Sequence, residues 1–405
     1  MILKIYKNYK GLISNIASLS VLKIIDLVIP LLLFPYLVGV VGEKNYGIYA
    51  FAYTLIFYFL NVSQYGFSLS AVKTIALVKE DQKQLAKIFN EVFITKLFLT
   101  TLSLSIILGL VFFIPQFREN YLVFLFVSII LIGDTLTSTW FFQGIEKMQY
   151  ITLINLVSKL SFVGMAILLI TTKNDYVYIG LYHALGYIIA GILSLVLLIK
   201  KHKIKLEWVP FTAVKRQLKL SFSSFLILIT PTLYSSSSIM MLGFFSSYQY
   251  VTYLEAGMKI SGMFSGVNNV LTTALYPFIN RNLKYKKKSI QLLLITGVFF
   301  SATMYFLSSL IVDIWLDKVI YEVVIVIKIL SFSPLMLAFI SAYGVNKLLI
   351  ENKDALFLKA TFISSIIGLF LGYVLISRFD LYGAAMTIIV TRIIYAIYTY
   401  LYAKK

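Results

Sequence analysis

Chemistry in this chain can come only from a few ionisable side chains set inside long apolar runs. They are Lys23, Lys96, Lys159, Lys259, Lys328 and Arg392, against Asp26, Asp134 and Glu255. A charge at mid-membrane depth costs about 2.5–3.5 kcal/mol on insertion scales and persists only with a partner, water or a task. On a helical wheel Glu255, Lys259, Gly262, Gly266, Asn269 and Thr273 share one narrow arc. Thr54, Tyr58, Asn61, Tyr65 and Ser68 form a second stripe, and Asn15, Lys23 and Asp26 a third polar face. Three such faces predict one water-filled compartment between helices. The surplus of cations predicts an anionic cargo, and tyrosines beside it suit sugars. If protons drive transport, Asp26, Asp134 and Glu255 are the candidate carriers.

Plainer roles compete for the same residues. Glu255 with Lys259, and Asp26 with Lys23, stand at helical pair spacing and could simply neutralise each other. Gly262 and Gly266 are a small-xxx-small pattern that lets helices pack closely. Lys96, Lys159 and Lys328 are expected near span ends, where a long side chain snorkels to the interface. The 29 tyrosines fit interfacial belts as well as sugar platforms. Enzymatic chemistry finds little support. There is no Cys, only His183 and His202, no GxxxxGK[ST] loop and no HExxH, so thiol, zinc and ATP chemistry are not expected. No catalytic residue, cofactor or metal site is expected; energy must come from a proton or sodium gradient or from use of the cargo on the far side.

The elements that position these residues follow from composition. A chain of 405 residues that is 60% hydrophobic and only 13% charged cannot hide its apolar surface in water. The bilayer is its solvent, and runs of about 20 apolar residues without alternation mean helices rather than barrel strands. Hydropathy predicts an all-α integral membrane protein of about twelve spans, near 12–41, 47–70, 86–114, 121–143, 151–172, 177–199, 219–243, 250–278, 290–312, 321–345, 357–377 and 381–402. Most of the 36 Lys and Arg fall in loops on the side of the termini, and few in the opposite loops, which predicts cytoplasmic termini. Net charge +19 is thereby explained without nucleic acid. The basic stretch from Lys200 to Lys219 divides the chain into lobes at 1–199 and 219–405 with a cytoplasmic linker at 200–218. Six spans per lobe give a parallel repeat with the cargo path between lobes. Pro30 and Pro35 in the first span and Pro231 in the seventh predict a kinked or broken first helix in each.

Several segments are more specific. Tyr46-Gly47-Ile48-Tyr49-Ala50 followed by Gln64-Tyr65-Gly66-Phe67-Ser68-Leu69-Ser70-Ala71 resembles the second-helix signature of O-antigen and repeat-unit transporters, as does Trp140-Phe141-Phe142-Gln143-Gly144-Ile145-Glu146-Lys147-Met148 after span four. With Leu275-Tyr276-Pro277 and Leu381-Tyr382-Gly383-Ala384-Ala385, the chain resembles, over its whole length, the polysaccharide transporter branch of the multidrug/oligosaccharidyl-lipid/polysaccharide exporter superfamily. The resemblance implies a two-lobed bundle working by alternating access. It would carry undecaprenyl-diphosphate-linked oligosaccharide across the bacterial inner membrane, toward O antigen or a related surface polysaccharide. Membrane lipids, a polymerase and a chain-length regulator are the implied partners. The resemblance assigns Lys23 and Lys259 to the diphosphate and acidic sugars. Lys73 stands where many relatives have arginine, and Arg392 where many have an acidic residue, so the headgroup contacts differ here. Asn61, Tyr65 and Asn269 complete the candidate cavity set.

Two other classes compete. A multidrug exporter of the same superfamily would expel small cations or amphiphiles, which surplus buried positive charge opposes. A polytopic polymerase or glycosyltransferase would bring a long outer loop or a soluble catalytic domain, and every outer loop predicted here is short.

Overall fold

The structure, a computed structural model, describes the backbone of residues 2–281, 283–351 and 353–404, and side chains from Leu22 onward except at 234, 235, 274, 277, 278, 280–283, 352 and 405. Asn15, expected beside Lys23, and Pro277 lie outside the described side chains.

Helices follow one another from end to end, with no strand among the described residues. In chain order they are α1 (Ile2–Val41), α2 (Glu43–Gln64), α3 (Phe67–Leu77), α4 (Gln82–Phe113), α5 (Pro115–Arg118), α6 (Tyr121–Ser128), α7 (Ile130–Leu136), α8 (Thr139–Gly144) and α9 (Met148–Leu169), then α10 (Ile179–Val196), α11 (Phe211–Ser235) and α12 (Ser237–Phe245). The chain continues through α13 (Tyr248–Arg281), α14 (Lys286–Phe306), α15 (Ser308–Leu316), α16 (Tyr321–Leu330), α17 (Ser333–Ile340) and α18 (Asp354–Lys404). Among the described residues nine helical stretches are long and apolar enough to cross a membrane, and α11 with α12, bent by 47°, makes a tenth if read as one broken span. The stretch Asp354–Lys404 carries both of the last two runs read from the sequence, divided at Asp380, whose φ of 45° and ψ of −121° are not helical. The run expected at 250–278 lies in α13, which is not one of the nine.

Leu32, Phe112, Leu168, Ile295, Ile314 and Phe370 stand exposed on these helices. In water they would form sticky patches; against acyl chains they are the expected outer face.

The chain divides into two compact units, residues 1–41 with 52–229, and 42–51 with 230–405. The stretch expected as a linker at 200–218 belongs to the first: Ile204 is buried in its core and α11 begins at Phe211. That core gathers Phe67, Ile75, Phe89, Trp140, Phe141 and Phe142, with the Phe89 and Trp140 rings stacked at 5.6 Å. The Trp140–Gly144 segment is therefore packing material at the end of span four. Gly144 is needed there because a Cβ would sit 2.5 Å from the Ile75 side chain on α3. In the second unit Ile340, Ala360, Tyr395 and Ala396 form a smaller core, and Thr361, in the first half of α18, donates its hydroxyl to the Tyr395 hydroxyl oxygen at 2.7 Å.

Pro231 lies in α11 shortly before the bend to α12, whereas Pro30 and Pro35 lie inside a helix that continues to Val41.

Candidate functional site

Span four is built in pieces, and its break carries the strongest polar site of the first unit. After α7, Thr137 turns to extended backbone, with ψ of 123°; its N–H caps the Gly133 and Asp134 carbonyls, at 3.2 and 3.1 Å, and the break leaves room for further donors. Lys96 of α4 supplies one. Its Nζ stands 2.8 Å from Asp134 Oδ2, donates to the Asp134 carbonyl at 2.5 Å and lies 3.4 Å from the Thr137 carbonyl. Gln64, at the end of α2, donates to Asp134 Oδ1 at 3.1 Å. The Lys96 and Asp134 side chains are only 4% and 9% exposed, so both charges have left solvent. Removing one partner of such a pair costs about 3–5 kcal/mol, mostly through the charge left behind. A cavity of about 250 Å³ opens beside the pair, lined by Gln64, Asp134, Gln143, Asn155, Ser158 and Tyr187 among others.

Snorkelling is thereby corrected for Lys96. It lies 14 residues into α4, about 21 Å along the axis, and a buried carboxylate with a broken helix end meets it there. Lys159 is likewise committed, to Asp26 across from α9 to α1. The ion pair that Asp26 makes is therefore with another helix. Lys328 is exposed, with its ammonium 5.9 Å from the centre of the Tyr305 ring.

In the second unit Lys259 Nζ lies 2.6 Å from Glu255 Oε1, and Tyr46 donates its hydroxyl to the same oxygen at 3.2 Å. The intrahelical pairing expected for Glu255 and Lys259 is present. Nearby, Glu43 accepts from Lys318 at 2.8 Å, Gln249 at 2.7 Å and Tyr253 at 2.8 Å, fixing the first turn of α2 to α13. From there the stripe runs down α13 through Gly262, Asn269 and Thr273, all three exposed. A Cβ on Gly262 would meet nothing within 4 Å, so close helix packing is not what this glycine serves. The packed polar face of α13 is a different one. Asn268 is buried, accepts from Thr296 at 2.7 Å and donates to the Pro334 carbonyl at 3.4 Å.

The other sequence candidates divide between the units, with Lys23, Asn61, Tyr65 and Lys73 in the first and Arg392 in the second. Lys23, Asn61 and Arg392 are half-buried, Lys73 is exposed, and Asn61 turns its amide back to the Phe57 carbonyl at 2.7 Å. Tyr65 stacks on Phe225 at 4.7 Å within the first unit. Each of the three candidate carboxylates, Asp26, Asp134 and Glu255, faces a lysine. Sequence reasoning missed Gln64, Glu43 and Glu91. All three are paired across helices far apart in the chain, which periodicity within one helix cannot reveal. No group of three His, Cys, Asp or Glu that could hold a metal occurs among the described residues.

Among the described residues, a helical, multi-span bundle with polar groups paired inside each unit is the architecture of an integral membrane protein. Residues 12–283 match the family described as Polysaccharide biosynthesis protein, and the chain belongs to that family. It is 28% identical over 392 residues to the protein of Escherichia coli (strain K12) named "Putative O-antigen transporter", spanning 95% of this chain and 94% of that one. A protein of the same name from Shigella dysenteriae is 22% identical over 389 residues, covering 95% and 98%. In fold the chain is similar to the lipid II flippase MurJ in an inward closed conformation, with TM-score 0.70, 15% identity and coverage of 97% and 88%. It is also similar to an inward-facing multidrug resistance transporter of the MATE family and MOP superfamily, with TM-score 0.68, 12% identity and coverage of 96% and 97%.

Proposed function

We propose that this protein flips undecaprenyl-diphosphate-linked oligosaccharide repeat units across the bacterial inner membrane by alternating access, with both termini in the cytoplasm. The observation that carries the reading is the stripe on α13, where Lys259 is held by Glu255 at one end and Gly262, Asn269 and Thr273 stay uncovered. A long polar track with a cation suits a cargo with a charged head and a hydroxyl-rich tail. Family membership and the O-antigen transporter relatives support the same cargo class. Lys23 and Lys259 meet the diphosphate and acidic sugars in this reading, with Lys73 and Arg392 as further cationic contacts; Asn61, Tyr65 and Asn269 serve the glycan. A polymerase and a chain-length regulator act on the delivered product. If a proton gradient drives the cycle, Asp26, Asp134 and Glu255 are the carboxylates available to it.

The test is deletion of the gene, followed by extraction of the polyprenyl-linked lipids and assignment of each to its leaflet. Complete repeat units held on the cytoplasmic face, released by the wild-type gene but not by a Lys23→Ala, Lys259→Ala double variant that still inserts, are expected. Normal outward delivery with altered drug sensitivity would transfer the reading to a multidrug exporter.

A further inference from the structure

Lys96 fills the position a free cation would take. Three oxygens converge on its Nζ: Asp134 Oδ2, the Asp134 carbonyl and the Thr137 carbonyl. A plain ion pair between helices needs only the carboxylate. Here the carbonyls join where α7 stops, and the Asp134 carbonyl also accepts from the Thr137 N–H at 3.1 Å and from the Thr137 hydroxyl at 2.7 Å. A carboxylate together with backbone carbonyls at the C-terminal end of an interrupted membrane helix resembles the ligand set with which broken-helix transporters hold a monovalent coupling ion. Gln64 holds the remaining carboxylate oxygen, so the ligands are oriented from outside as well. A small cavity of about 60 Å³, lined by Lys96, Asp134, Gln64 and Trp140 among others, gives a small ion room to reach the ligands.

We propose that the break in span four is a monovalent-cation site permanently occupied by a tethered ammonium, Lys96, so that the first unit takes up no sodium there. One carboxylate and one ammonium leave the site neutral, and a second cation would meet the first at contact distance. Any sodium coupling then falls to carboxylates outside this site. The inference is independent of what the protein carries.

The experiment uses the full chain purified in detergent, with thermal midpoints measured in sodium, methylammonium and N-methylglucamine chloride at equal ionic strength. The wild type is expected to give one midpoint in all three salts. Lys96→Ala, which removes the ammonium and opens its place, is expected to be less stable in N-methylglucamine and to recover by several degrees, saturably, in sodium or methylammonium. Lys96→Met combined with Asp134→Asn, which removes both charges, is expected to show no such recovery. A Lys96→Ala protein equally stable in the three salts would overturn the proposal. If that variant does not accumulate folded, the wild type still decides: a sodium-dependent midpoint that Asp134→Asn abolishes overturns the proposal, and indifference to sodium in both supports it.

Discussion

Glu91 accepts a hydrogen bond at 2.8 Å from the side-chain amide of Gln217, 126 residues further along the chain. Arg216 pairs with the other carboxylate oxygen, and the Glu91 side chain is only 5% exposed. The start of α4 is thus pinned to the first turns of α11, and one cation of the basic stretch has a structural duty beyond setting topology. Arg216→Ala leaves Gln217 as a neutral partner to a buried carboxylate. It is expected to destabilise the protein by about 1–3 kcal/mol, whereas Lys215→Ala, on an exposed neighbour, stays within about 0.5 kcal/mol. Thermal unfolding of the purified variants checks the difference; equal midpoints would remove the pair from the account.

Gly66 joins α2 to α3 with φ of +75°, and a Cβ there would come within 2.5 Å of the Phe225 nitrogen. Gly66→Ala therefore meets both a left-handed penalty of about 1–2 kcal/mol and overpacking of about 1–3 kcal/mol. Lower amounts of folded protein in membranes are expected. Tyr65→Phe keeps the ring stacked on Phe225 and is expected to leave that amount unchanged. A loss of transport in Tyr65→Phe at normal abundance would point to the hydroxyl as a cargo contact.

Much of this was legible in the sequence because membrane helices announce themselves by length and apolarity, and because Glu255 and Lys259 lie one turn apart on a single helix. Partners on different helices were not. Nothing in the spacing of Lys96, Asp134 and Gln64 tells that a break after α7 brings them together. The apolar run around Lys96 did not show how far α4 extends toward its start, which is what sets the lysine's depth. Gly262 and Gly266 looked equally fit for packing or lining; only the open space beside Gly262 separates the two roles. The polar face of α13 that is packed, at Asn268, escaped notice because a wheel ranks residues by angle and not by what stands opposite. Pro30 and Pro35 show the converse limit, since a proline in a membrane helix removes one donor and need not end the helix.

His202 follows the span that ends at Lys201 and lies edge-on to Phe141, Phe142 and Tyr150, each ring centre at 5.9 Å. Its carbonyl accepts from Gln82 at 2.5 Å, so the loop is docked on the Trp140–Gly144 segment and on α4. Burial, with Lys201 and Lys147 close by, lowers the imidazole below its ordinary 6.5. The unfolded chain therefore binds a proton more readily than the folded one. The contribution of His202 is fully present above about pH 6.5, the unfolded value, and is lost as pH falls from there through the lowered folded value. A thermal midpoint that drops between pH 7.5 and 5.5 in the wild type, and drops less in His202→Phe, is expected. Parallel pH profiles would show that this loop does not report acidification.

Lys259 poses the last question, whether its charge serves Glu255 or the cargo. The two side chains are 20% and 19% exposed, so the pair is reachable from solvent while each charge is partly desolvated. Lys259→Ala alone cannot decide, because it also strands Glu255 beside the Tyr46 hydroxyl. The double-mutant cycle can. If the lysine only neutralises Glu255, then Glu255→Gln combined with Lys259→Met removes both charges together and surface glycan returns toward the wild-type level. If the ammonium meets a diphosphate or an acidic sugar, the double variant inserts normally and still fails to deliver glycan, while Lys259→Arg keeps a cation in place and retains part of the activity. The second pattern is expected, since Gly262, Asn269 and Thr273 continue the exposed line from Lys259 along α13 and a neutral pair gives an anionic head nothing to meet at its start.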